Sequence, residues 1–303
     1  MTRVRKNVRF FDTIAIDDND VRGPVEQGFW AELLTAMTLW GHQDREFPVS
    51  GVKYFGQSQH PRQPAMPHLQ VGRVRDLSEH LELYNLGDGS TVPLEFDDPN
   101  HRVAEPTYVV PFGLQNRVAI MSPAVRATRS ETLGRWLTGV CGLIPQGRSL
   151  EFVPIVDPAV VRKIADARGA VMLEVHVDAE AEIPASGGGQ LGNSFRNAKQ
   201  QTTDELDLTI RWSLGHSTGT ESVREAIQGA ALWVANGGFS SSAEVKILRE
   251  NEDGGIDREI HNIFNDRIAK TVEFFVPEGE RVTDSVILEA VAKAIDEFRN
   301  DGL

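Results

Sequence analysis

The sequence predicts an α+β chain of two domains, with mixed, mostly antiparallel sheets and helices packed against them. Three observations carry this. β-rich runs follow one another through a short turn between Glu105 and Met121, as in a hairpin. Amphipathic stretches with helical spacing recur between strands, beginning near Glu26, Thr128, Asp157 and Asp284. Helices and strands do not alternate with the regularity of βαβ units, which disfavours a doubly wound α/β sheet. The chain has 303 residues, 40% hydrophobic and 25% charged, enough for two cores. The expected division is an N-terminal domain over 1–147 and a C-terminal domain over 148–303.

Taken in order, Val4–Ile16 has the partial alternation of a strand with one wet face. Trp30, Leu33, Leu34 and Met37 form the apolar stripe of a helix over Glu26–Trp40. Phe47–Phe55 and Leu69–Val74 read as strands, joined by a Pro- and Gln-rich connection. Pro106–Phe112 and Arg117–Met121 form a hairpin around Gly113–Asn116. Thr128 and Glu131 make a capping box, and Leu133, Trp136, Leu137 and Val140 the buried stripe behind it. Leu150–Val156 is a strand, and Asp157–Pro158 starts a helix that Gly169 closes. Val171–Val177 is a strand, Leu191–Gln201 a helix and Leu206–Trp212 a strand. Ser222 and Glu225 cap a helix through Val234. Val245–Leu248 and Thr271–Val276 are strands around an irregular middle, and a helix capped by Asp284 follows. Glycine-rich segments at Ala185–Gly192 and Asn236–Ser242 are expected hinges.

Composition narrows the function. No run of apolar residues is long enough to span a membrane, and no apolar segment follows the basic N-terminus, so a secretory signal is not expected. Cys141 is the only cysteine, which excludes an intrachain disulfide and a cysteine-rich zinc site and suits a cytoplasmic protein. No phosphate-binding loop or nucleophile elbow is present. His42 with Asp44, and Glu174 with His176, lack a third ligand, so no metal, cofactor or catalytic residue is expected. The net charge of −13 argues against a surface coated with basic charge but leaves room for a local patch.

Several segments share an order with a known family. Ser130-Glu131-Thr132-Leu133 leads into Trp136-Leu137, and Glu151-Phe152-Val153-Pro154-Ile155 follows. Leu206-Asp207-Leu208-Thr209-Ile210 comes next, then Phe239-Ser240 ahead of Lys246 and Arg249, then Glu259-Ile260-His261. In this order the chain resembles the RexA phage-exclusion proteins of lambda-type prophages, over about residues 105–298. The resemblance implies a homodimer that binds double-stranded DNA without sequence preference, takes no small-molecule substrate, and signals to a RexB-like membrane partner. The chain departs from the family in two places. Arg126–Ala127 replaces a Gly-Pro before the helix, and Arg211–His216 has one basic side chain where the family is lysine-dense.

Non-specific DNA binding needs several cations on one surface, each displacing a counterion from a phosphate. The candidates are Lys246, Arg249, Arg211, Arg196 and Lys199, with Arg126 and Arg129 at a helix N-terminus. Arg3, Arg5, Lys6 and Arg9 form the densest basic run, read as a solvated strand edge with a DNA arm as the alternative. Two other readings stay open. One is a metal-dependent defence nuclease using Glu259, His261 and Asp266; the other is a protein-binding regulator without DNA affinity.

Overall fold

The computed structural model describes residues 2–17, 21–59, 66–75, 82–84, 87, 90–94, 96, 98, 101–113, 116–124, 128–142, 144, 147–177, 183, 187–201, 206–237, 242–251, 253–263, 268–277, 279 and 282–301. The element order is β1 (Thr2–Asp17), β2 (Arg22–Pro24), α1 (Phe29–Met37), β3 (Glu46–Val49), β4 (Val52–Gln59), β5 (His68–Val74), β6 (Glu82–Tyr84), β7 (Thr91–Pro93), β8 (Ala104–Phe112), β9 (Arg117–Met121), α2 (Ser130–Val140), β10 (Arg148–Pro154), α3 (Pro158–Ala165), β11 (Ala170–Val177), α4 (Gly189–Gln201), β12 (Leu208–Ser213), α5 (Glu221–Gly237), β13 (Ser242–Glu250), β14 (Ile256–Asn262), β15 (Ala269–Val276) and α6 (Asp284–Asn300). The fold class is α+β with antiparallel sheets, as the sequence predicts. The large sheet has the order β10-β1-β9-β8-β5-β4-β3, with β2 and β15 also pairing with β1. A smaller sheet has the order β12-β11-β13-β14, and β6 pairs with β7.

The chain forms two compact units. The first takes Met1–Val8, Glu26–Leu150 and Thr271–Ile295; the second takes Arg9–Val25, Glu151–Lys270 and Asp296–Leu303. One division therefore falls at Leu150/Glu151, and segments from both ends of the chain are shared out between the units.

In the first unit α1 packs on β4 and α2 on β3. Trp136 is fully buried against Gly56, where an added Cβ would sit 2.1 Å from the indole. Phe47–Phe55, expected as one strand, is a hairpin of β3 and β4. Ser50 and Gly51 turn it at φ 49° and 76°, the left-handed pair that a two-residue hairpin loop requires. The capping box at Thr128 does not form: Arg129 takes the cap position with an extended backbone, and buried Thr128 precedes it. Buried Tyr108 donates to Asp284, and Gln70 Nε2 donates to its hydroxyl at 3.3 Å. Burial, then Asp284, raises the Tyr108 hydroxyl above its ordinary pKa.

In the second unit α3, α4 and α5 cover one face of the small sheet. Val160, Ile164, Leu191, Phe195, Ala231 and Val234 interlock there with Leu173, Val175, Val177, Val245 and Ile247. Strands β12 and β13 flank β11, each antiparallel to it. They are therefore parallel to each other, and α5 is the crossover between them. Asp157 caps α3 through its carboxylate, which accepts from the Ala159 amide at 2.8 Å. Of the expected hinges, residues 185–186 and 238–241 lie outside the described residues. Gly187 and Gly188 turn at positive φ against Trp233, and a Cβ at either would approach the indole to 2.8 and 2.6 Å.

Candidate nucleic-acid interface

Residues opposite one another in an antiparallel ladder share a face. The registers therefore sort the small sheet. On the helix side lie Leu173, Trp212, Val245 and His261 in one row. On the other side lie three rows: His176 with Thr209 and Ser242; Glu174 with Arg211, Glu244 and Asn262; and Met172 with Ser213, Lys246 and Ile260. Leu248 with Arg258, and Glu250 with Ile256, extend that side along β13 and β14.

This second face mixes apolar, basic and acidic groups. Thr209, Arg211, Ser213 and Arg258 are exposed, and Ile256 and Ile260 are 52% and 54% exposed. Arg211 pairs with Glu174 at 3.2 Å, and His176 Nδ1 lies 2.8 Å from Thr209 Oγ1. Arg258 donates to the Gly215 and His216 carbonyls at 3.3 and 3.0 Å, at the end where Met172 and Leu248 are buried. Lys246 makes no ion pair among the described residues. The face thus carries Arg211, Lys246 and Arg258 against Glu174, Glu244 and Glu250.

The other sequence candidates fall elsewhere. Arg196 and Lys199 belong to α4, in the helix layer, and Arg196 donates to Asn193 Oδ1 at 2.7 Å and to the Gly187 carbonyl at 3.3 Å. Arg249 lies on the helix side of β13 and reaches Glu259 at 3.7 Å. Arg129 is in the first unit, at the start of α2, and Arg126 lies outside the described residues. Arg3 and Arg5 both grip Glu273 on β15, whose carboxyl they hold below the ordinary carboxylate range through hydrogen bonds, Arg3 first. The structure therefore brings Arg211 and Lys246 together and adds Arg258. Sequence reasoning missed Arg258 because Ile256–Asn262 is too polar to stand out as a strand. Its one signal was Ile256, Arg258 and Ile260 at period two.

Glu259 is a hub on the helix side. Lys163 of α3 lies 3.6 Å from its carboxylate, Arg249 3.7 Å and His261 3.2 Å. Two cations occupy the space around this carboxylate that a metal would share, so its chemistry here is that of an ion-pair junction between α3 and β14. Asp266 lies outside the described residues. Among the described residues no three His, Cys, Asp or Glu side chains gather as a metal site, and no helix is long and apolar enough to cross a membrane. No protein-family model and no curated protein matches the chain.

Proposed function

We propose that the protein is a non-catalytic, sequence-nonspecific DNA-binding sensor of the RexA-like phage-exclusion type. In this reading it acts in the cytoplasm as a homodimer, signals to a RexB-like membrane protein, and contacts the DNA backbone through the second face of the small sheet. The observation that carries the reading is that Arg211 and Lys246, far apart in sequence, share one face with Arg258. The Arg211–Glu174 pair is exposed, so opening it for a phosphate costs little, about 1 kcal/mol or less. Lys246, with no ion pair among the described residues, is available without that exchange.

The test is anisotropy of a labelled random duplex across a salt series. Each phosphate contact contributes a slope of about 0.9 in log affinity against log salt, so three contacts predict a slope near −2.7. No binding at low salt would remove the reading.

A second reading has an observation of its own. Ile256 and Ile260 are exposed on the same face, and carboxylates alternate there with the cations. Such a surface suits a protein partner, and retention of the protein's regulatory effect without any DNA affinity would favour it. The nuclease reading gains nothing from the geometry, because Glu259 is engaged by Lys163 and Arg249.

A further inference from the structure

We infer that the outer edge of β12 is a docking site for an extended segment of another protein, one that sets a carboxylate between apolar residues and adds to the small sheet as an antiparallel strand. β12 ends the order β12-β11-β13-β14, and among the described residues nothing pairs with its outer side. Edges left to solvent are normally guarded by prolines, bulges or inward-pointing charges. β12 has no proline, and its register with β11 runs unbroken from Met172–Ser213 to Val177–Leu208. Its helix side carries only Leu208, Ile210 and Trp212, none of them charged. The opposite edge differs: β14 turns the charges of Asp257 and Glu259 to the helix side.

The main chain fixes which groups the edge offers. The Leu214 amide donates to the Val171 carbonyl at 2.9 Å, in phase with the β11–β12 ladder. Leu208, Ile210 and Trp212 therefore turn their amides and carbonyls toward β11, while Thr209, Arg211 and Ser213 turn theirs outward. These outward groups are what an added strand would pair with. Antiparallel pairing continues the pattern of the sheet and is the more stable kind per residue.

The side chains define the occupant. On the helix side Leu208, Ile210 and Trp212 are half-buried at the margin of the core, and Leu206 ahead of them is 51% exposed. Apolar side chains of an added strand would lie beside this row and extend its cover. On the other side Arg211 stands between Thr209 and Ser213 with its side chain 60% exposed. Glu174 of β11 meets it from the inner side at 3.2 Å, and a guanidinium has donors enough for a second carboxylate from the outer side. A cation placed opposite Arg211 would be repelled. The occupant is therefore a strand that alternates apolar with polar residues and sets Asp or Glu opposite Arg211. This inference stands on the strand edge and does not depend on affinity for DNA.

Anisotropy of a fluorescein-labelled peptide, Thr-Val-Glu-Val-Thr-Val, titrated with the full chain tests it. Saturable binding is expected. Lysine in place of the peptide's glutamate is expected to weaken binding about tenfold, because an attractive cross-strand pair becomes a repulsive one. Arg211→Glu is expected to reverse that preference with an unchanged circular dichroism spectrum. N-methylation of the peptide's glutamate and threonines, whose amides would face β12, is expected to abolish binding. N-methylation of its valines, whose amides would face away, is expected to change affinity by no more than about twofold. No saturation, equal affinity for the glutamate and lysine peptides, or equal losses from the two methylation patterns would each overturn the inference. Failure to bind by a chain that sediments at twice its 33.5 kDa mass would assign the edge to a second copy and overturn it as well.

Discussion

Glu105 shows how a single buried charge is made tolerable. Arg73 and Arg75 reach its carboxylate at 3.0 and 2.5 Å. Burial raises the carboxyl, but hydrogen bonds from Arg75 and Arg73, with their charges, outweigh it and hold the pKa below the ordinary carboxylate range. The folded group thus titrates below the unfolded one, which lies at about 4.3. Its stabilisation is complete above that unfolded value and is lost as pH falls through the folded one. Glu105→Gln is expected to cost about 2 kcal/mol near neutrality, since both guanidiniums keep partial access to solvent. Urea midpoints of variant and wild type should converge as the pH drops below about 4. At Gly188 the constraint is steric. Its φ of +68° and the indole 2.6 Å from an added Cβ mean that Gly188→Ala must strain the backbone and displace Trp233. A loss of about 2 kcal/mol in denaturant unfolding is expected, with a shift in tryptophan emission.

At the scale of elements, most of the fold was legible wherever periodicity and local chemistry agreed. Asp157–Pro158 announced α3, and the Asp157 side chain caps it as the residues imply. Asp157→Ala is expected to cost about 1 kcal/mol in thermal or urea unfolding, because one amide at the start of α3 loses its acceptor. Leu288, Val291, Ile295 and Phe298 likewise marked the buried stripe of α6. The misses have physical reasons. Ser50–Gly51 split a continuous apolar run into two strands through left-handed backbone, which pattern reading of Phe47–Phe55 passes over. The Thr128–Glu131 spacing fits a capping box, but Thr128 is buried and Arg129 holds the cap position of a helix that starts at Ser130. β14 holds only two isoleucines among polar residues, so its strand character comes from pairing with β13 more than from its own sequence. The site inherited that omission: Arg258 could be placed beside Lys246 only once β14 was known.

For the whole molecule, the net charge of −13 opposes a polyanion at long range, while three cations on one sheet face favour it at contact. Charges farther apart than about 8–10 Å are largely screened at physiological salt, so under the proposed function the local cations are the ones that would govern contact with DNA. The association rate should then lack the steep rise at low salt that a basic protein shows, and stopped-flow mixing with labelled duplex would reveal it. The proposed role rests on the resemblance to RexA-like chains; the registers show only that Arg211, Lys246 and Arg258 share one face, which sequence order alone did not define. Of the cations named from sequence, those on α4 and at Arg249 lie on the helix side, away from Arg211 and Lys246. The most direct measurement compares salt-dependent duplex affinity for wild type, Arg211→Ala/Lys246→Ala and Arg196→Ala/Lys199→Ala. The account predicts that the first pair lowers affinity and flattens the slope by about 1.8, two phosphate contacts' worth, while the second pair changes neither. Equal losses from both pairs, or an effect of the α4 pair alone, would contradict it.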